Sequence, residues 1–170
     1  KASEITLENV SVPKENLLGE EGKALNTISE VIDLATLAIS AEAVGIMQKM
    51  NELTLDYTKT REQFGQALSK FQALQHRMVD TFMVHEQTKS LLLMAAAKMN
   101  DKAADTSKSI SALKYQIGSA AKLIGEESIQ LHGGMGVTEE MSIGHYFKRL
   151  TTIRTIFGNS DYHLKRYSSL

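Results

Sequence analysis

The chain carries one proline, Pro13, and from position 14 to position 170 there is none. Proline lacks a backbone N–H and its ring clashes with the preceding turn, so it is the strongest interior breaker of a helix. Its absence leaves every later helix free to run long. Glycine is spread in a similar way: none occurs between Gly65 and Gly118, a stretch of 52 residues with room for one long helix, a turn and the start of another. The hydrophobic period therefore decides what this chain builds.

Leu25, Ile28, Ile32, Ala35, Ile39, Ala43, Ile46, Met50 and Leu53 recur every three or four residues, which predicts one apolar stripe along a helix of about eight turns. A loop around TREQFGQAL follows. Ser69-Lys70-Phe71-Gln72 matches the capping box, in which the Ser and Gln side chains satisfy free N–H groups at a helix start. Phe71, Leu74, Met78 and Phe82, then Leu92, Ala96 and Met99, carry a second stripe to residue 100, and NDKAADTS is the turn. Ile110, Leu113, Ile117, Ala121, Ile124 and Leu131 form the third. Thr138 is expected as the N-cap of a further helix reaching Ile153, with Glu139 and Glu140 in its first turn at the positive end of the dipole. A last short helix is expected over Asp161 to Tyr167. The opening SEITLENVSV is different: Ile5, Leu7 and Val10 alternate with polar neighbours, which reads as a strand before turns at Pro13 and Gly19. Helices with one apolar face each bury those faces against one another. The expected fold is all-α, an antiparallel four-helix bundle over 21–170 preceded by a short β segment within 1–20.

Composition narrows the function classes. A length of 170 residues with 42% hydrophobic residues and a net charge of −1 suits one domain with a real core and argues against nucleic acid as partner, since phosphate binding needs a cationic face. No apolar run approaches the roughly 18 residues of a membrane span, and KASEITLENV has no signal-peptide core. The missing initiator Met points to a fragment or a processed chain. Zero cysteines exclude disulfides and thiolate metal sites and suit a reducing compartment, so a cytoplasmic location is expected. His76, His85, His132, His145 and His163 show no ligand spacing, and no Glu-x-x-His occurs, which opposes a dimetal bundle. No metal is expected.

Two turns stand out chemically. QLHGGMG at 130–136 ends the third stripe. Gly133 and Gly134 fall where a helix C-terminus wants positive φ, and Gly136 helps the chain reverse; consecutive glycines also let a backbone approach an anion closely. In YTKTREQFG at 57–65, Arg61 ends a helix before an aromatic and a Gly, and its guanidinium is either solvated or offered to phosphate.

Taken together, YTKTREQFGQALSKFQALQHRMVD and QLHGGMGVTEE, with ITLENVSVPKENLLGEEGKAL before them, resemble the C-terminal helical domain of the acyl-CoA dehydrogenases over nearly the whole chain. Residues 1–20 resemble the end of that family's middle β-domain and its linker. The resemblance implies FAD as cofactor and an acyl-CoA as substrate, desaturated with hydride transfer to flavin. It implies a homo- or hetero-oligomer, dimer or tetramer, of acyl-CoA dehydrogenase subunits, with electron-transfer flavoprotein as a further candidate partner. By match, Arg61, Gln63 and Phe64 would reach a neighbouring subunit's FAD, Phe71 and Gln72 would make a second contact, and Gln130, Gly133 and Gly134 would close over the same nucleotide. Asn159 and Asp161 are carried over as cofactor contacts on the same basis.

The resemblance breaks at the catalytic base. The family's usual base is the Glu of a Tyr-Glu-Gly-Thr stretch, 27 positions beyond the loop glutamine, and here that position is Phe157. A minority place a Glu on the first long helix, where this chain has Ala35 followed by Thr36 in place of a family Arg. The base is then Asp161 or Glu42, or it comes from a different subunit, or catalysis is lost and an assembly role remains. The resemblance implies that the backbone N–H of residue 157 would still polarise a thioester oxygen, as the family's does. FGNSDYH looks most like the smaller chains of two-component enzymes acting on pimeloyl or steroid side-chain thioesters, which implies one chain of a heteromer. The alternative is a non-catalytic helical scaffold that retains the fold only.

Overall fold

The computed structural model describes residues 3–170. A short 3-10 turn at Lys14–Asn16 leads to helix α1, Ala24–Thr60, 37 residues long. A two-stranded hairpin follows, β1 Glu62–Gln63 against β2 Gln66–Ala67. Then come α2 Gln72–Asn100, α3 Thr106–His132, α4 Ser142–Ile153 and α5 Ser160–Ser169. Three long helices form the bundle and the two short ones close it.

Helix α3 is the axis, packing against α1, α2, α4 and α5. Its predicted stripe is realised in full: Ile110, Leu113, Ile117, Ala121, Ile124 and Leu131 are all buried. Two glycines on α3 permit close neighbours. A Cβ on Gly125 would meet the Phe147 ring of α4 at 2.9 Å, and one on Gly118 would collide with Ser160 at the start of α5.

The stripes of α1 and α2 are only partly inside. Ala43 and Met50 are buried as expected, but Leu25, Ile28 and Ile32 are exposed, and the inward face of that half of α1 is Asp33, Thr36 and Ser40. That face is polar because it meets Arg166 of α5 and serines of α3, and its hydroxyls are satisfied within the helix: Thr36 donates to the Ile32 carbonyl and Ser40 to the Thr36 carbonyl, each at 2.7 Å. In α2 the buried positions are Thr81, His85, Thr88 and Ala95, whereas Phe82 faces outward.

Four local expectations are corrected. Residues 3–13 form no strand, and Ile5, Leu7 and Val10 are exposed; a single extended segment has no neighbour to bond its N–H and C=O groups. The capping box does not form, because Ser69 lies in a 3-10 turn at Leu68–Lys70 and α2 begins at Gln72 behind Phe71; Gln75 Nε2 bonds the Ser69 carbonyl at 2.8 Å instead. Thr138 does not cap α4: it ends a 3-10 turn at Gly133–Val137, so Glu139 and Glu140 precede the helix. The loop at 61–68 is a hairpin whose tip, Phe64 and Gly65, has φ of 55° and 80°, the doubly left-handed geometry of a two-residue turn.

Candidate functional site

The C-terminus of α1 and the C-terminus of α3 end side by side. Between them lies a cleft of about 510 Å³ lined by Tyr57, Arg61 and Gln63 from the first end, and by Gln130, His132, Gly133 and Gly134 from the second. Leu74 and Arg77 of α2 form the floor. Five residues singled out in two distant motifs thus share one wall-to-wall site. Phe64 stands beside it, 91% exposed at the strained hairpin tip, with its ring edge-on to Phe71 at 6.2 Å. Gln72 is exposed at the start of α2 and does not line the cleft, and Asn159 and Asp161 lie elsewhere, at the head of α5.

The three glycines of the turn have three different reasons. Gly133 has φ 59° and ψ −140°, a region essentially closed to other residues. Gly136 is pinned against α3, where an added Cβ would meet the Ile129 carbonyl at 2.7 Å. Gly134 has neither constraint: its φ is ordinary and an added Cβ would meet nothing within 4 Å. Packing inside this chain leaves the missing side chain of Gly134 unexplained.

The polar groups of the cleft suit a phosphorylated, hydrogen-bonding ligand. Among the described residues Arg61 makes no ion pair, whereas Arg77 is held by Glu127. Gln63 and Gln130 add amides. His132 Nδ1 donates to the Ser128 carbonyl at 2.8 Å, which leaves Nε2 as an acceptor, and that buried atom has no partner among the described residues. Burial pushes the imidazole below its usual pKa, against the hydrogen bond to Ser128, so the ring is neutral. It stacks on Tyr57 at 4.4 Å. A forked cation, amide donors, an open backbone and an orphaned acceptor together fit a dinucleotide's phosphates and hydroxyls. Tyr57, Arg77 and His132 were not singled out from sequence; the signal for His132 was its place next to the glycines.

The second region is the turn between α4 and α5. Phe157 has φ 58° and Gly158 φ 104°. The Phe157 N–H donates to no acceptor among the described residues, whereas the N–H groups of Ile156 and Gly158 bond the carbonyls of Thr152 and Thr155. The Phe157 carbonyl accepts from His163 Nε2 at 3.0 Å. Lys114, 1% exposed, donates to the carbonyls of Ile153 and Gly158 at 2.9 and 3.0 Å. Lys114 was missed in the sequence, although a lysine standing four residues after Ile110 and three before Ile117 lies on a buried face and is a readable anomaly.

Of the carboxylates weighed as a base, Glu42 is exposed and forked onto Arg149, Oε1 to Nε at 2.5 Å and Oε2 to Nη2 at 2.8 Å. The hydrogen bond from Arg149 holds its carboxyl below the usual range, which suits an ion pair and makes a poor proton acceptor. Asp161 is exposed in the first turn of α5. Ala35 offers only a methyl group.

Comparison with known proteins gives the family and the fold. The family described as Acyl-CoA dehydrogenase, C-terminal domain, matches residues 22–168. The rat short-chain specific acyl-CoA dehydrogenase, mitochondrial, is 32% identical over 88% of this chain and 36% of its own length. The Caffeyl-CoA reductase-Etf complex subunit CarC of Acetobacterium woodii is 30% identical over 94% of this chain and 42% of its own. The solved butyryl-CoA dehydrogenase from Megasphaera elsdenii superposes with a TM-score of 0.89 at 28% identity, covering 93% of this chain and 41% of that one. The chain thus spans about two-fifths of the length of these relatives. With a helical bundle, two converging turns and a family match over nearly all its residues, the chain belongs to the acyl-CoA dehydrogenase family, as its C-terminal domain.

Proposed function

We propose that this chain is the FAD-contacting, oligomerising C-terminal part of an acyl-CoA dehydrogenase and one chain of a heteromer, with residues 1–20 ending a preceding β-domain. The observation that carries the reading is the convergence of Arg61 and Gln63 with Gln130, Gly133 and Gly134 on one cleft. Arg61 would meet the diphosphate, Gly134 would let the backbone approach it, and His132 Nε2 would accept from a hydroxyl. Phe64, exposed beside the cleft, offers an apolar ring to the base, and Phe71 supports it. When bound, FAD supplies a hydride acceptor.

The apolar outer faces of α1 and α2 support assembly. Leu25, Val31, Leu34, Phe82 and Leu93 are each more than half exposed in the single chain, and large apolar side chains left outside in this number suit contacts with other subunits. An acyl-CoA substrate would find the free N–H of Phe157 as a donor to its thioester oxygen, but no carboxylate replaces the side chain there. The proton acceptor would come from a second type of subunit. Electron-transfer flavoprotein is a further candidate partner, since the Acetobacterium relative is named as a subunit of a reductase-Etf complex. Zero cysteines favour the cytoplasm. The rival reading, a scaffold without flavin, is favoured by Phe157 alone.

An absorbance spectrum of the full-length protein separates the two. Flavin bands near stoichiometric amounts are expected, and a colourless oligomer establishes the scaffold. Dehydrogenation of acyl-CoA at ordinary rates by the full-length chain without a second subunit overturns the heteromer.

A further inference from the structure

The backbone from Ile153 to Gly158 joins α4 to α5, and four of its carbonyls are gripped by two buried side chains. Lys114 reaches from α3 to the carbonyls of Ile153 at 2.9 Å, Gly158 at 3.0 Å and Arg154 at 3.4 Å. His163 reaches from α5 to the carbonyl of Phe157 at 3.0 Å. Both side chains are 1% exposed. An ammonium has three donors and no acceptor, so three carbonyls saturate it. Because a carbonyl only accepts, His163 carries its proton on Nε2.

This clasp determines which way the peptide planes face. With the carbonyls of 157 and 158 turned inward, Phe157 is held in a left-handed conformation that an L residue adopts at a cost. Its N–H is left without a partner among the described residues while the neighbouring N–H groups are bonded. Packing gives no reason for an ammonium on the apolar stripe between Ile110 and Ile117, where a methionine has nearly the same length. Burial pushes the lysine down to about 8, so the fold works against its charge at neutral pH. Backbone strain and a disfavoured buried cation at one turn are the marks of a functional site.

Resting on the reading of that N–H as a donor to an acyl thioester, we propose that Lys114 and His163 are positioning residues: they fix the peptide planes of the Phe157–Gly158 turn so that the Phe157 N–H is presented, unpaired, to the thioester carbonyl of an acyl-CoA. They touch neither substrate nor flavin. Their effect is felt only by a ligand that has that carbonyl.

The test uses the full-length protein as purified, with its flavin and any co-purifying subunit. Affinity is measured for a saturated acyl-CoA and for its S-alkyl thioether, which lacks the carbonyl oxygen. The wild type binds the thioester more tightly by the worth of one hydrogen bond, roughly two- to tenfold. In Lys114→Met that preference disappears while thioether affinity holds. His163→Leu does the same, and His163→Gln, whose amide N–H reaches the same carbonyl, restores it. Hydrogen exchange over 154–159 reads the clasp without ligand and accelerates about tenfold in Lys114→Met, with the centres of α1 and α3 unchanged. A preference that survives in the variants, with exchange unaltered, overturns the proposal. If Lys114→Met does not fold, the two His163 variants decide it. A wild type that does not distinguish thioester from thioether sinks the functional reading and the proposal with it, even where exchange shows the clasp.

Discussion

Arg166 holds Asp33 through two parallel bonds, Nη1 to Oδ1 at 2.6 Å and Nη2 to Oδ2 at 2.9 Å, tying the last helix to the first. Helix α3 completes the cluster: Ser107 donates to Asp33 Oδ2 at 2.6 Å, and Ser111 accepts from Arg166 at 3.2 Å. Asp33 is 4% exposed, so loss of its partner strands a buried carboxylate with one serine. Arg166→Leu should destabilise the domain by about 2–4 kcal/mol in urea unfolding, the lower range for breaking a buried pair because the arginine is partly solvated. The double variant Asp33→Leu with Arg166→Leu should recover most of that loss. A double variant whose loss equals the sum of the two single-variant losses would show that the pair is not coupled.

Gly136 has a purely steric role. An added Cβ would meet the Ile129 carbonyl at 2.7 Å and His132 Cβ at 3.0 Å, and neither a backbone carbonyl nor a Cβ fixed to the helix can swing aside. Gly136→Ala should therefore lower stability by about 1–3 kcal/mol and push the 133–137 turn off α3. Thermal unfolding checks the first effect. Greater proteolytic nicking near residue 135 checks the second.

The legible part of this structure is the part that packing alone decides. The stripe of α3 was readable residue by residue because α3 packs against α1, α2, α4 and α5, so each apolar position of that stripe found a partner. In α1 and α2 the same rule misplaced Leu25, Ile28 and Phe82, since their apolar faces point out of the single chain and polar residues such as Asp33 and Thr81 point in. Period shows that a face is apolar and leaves open which surface covers it. The convergence of Arg61 with Gly134 followed from the resemblance, whereas the neutral acceptor of His132 and the clasp of Lys114 depend on contacts 4 residues and about 40 residues away in sequence. Only the oddity of a lysine in an apolar stripe hinted at the second.

Gly134 separates folding from binding. Its φ is ordinary and its surroundings are empty, so Gly134→Ala should leave stability unchanged or raise it by about 0.5–1 kcal/mol through a stiffer unfolded chain. The methyl group would be added to the wall of the cleft that Arg61 also lines. Flavin retained per chain in the full-length protein should fall, and fall again in Arg61→Ala, while the melting temperature of the flavin-free protein does not. Retention unchanged in both variants would remove these turns from the cofactor site.

Lys114 makes stability and binding respond to pH in opposite directions. Its folded pKa is about 8, whereas in the unfolded chain a lysine titrates near 10.4. Between those values the unfolded chain holds the proton and the folded chain has released it, so stability rises with pH. The full swing is about 3 kcal/mol. Neighbouring titrations do not blur the window: burial pushes His163 below its usual value, and the hydrogen bond to Asp33 pushes Arg166 up. Lys114→Met removes the effect while leaving the rest of the background, so the stability difference between wild type and variant, read from urea midpoints at pH 7 to 10, should shift in favour of the wild type above pH 8. Over the same interval the amine keeps only two donors for its three carbonyls. The grip on Gly158 or Arg154 weakens, and the thioester preference should decline as the fold grows more stable. A stability difference that is flat with pH would mean that the ammonium is solvated, and preference and stability rising together would mean that its third bond does not hold the turn.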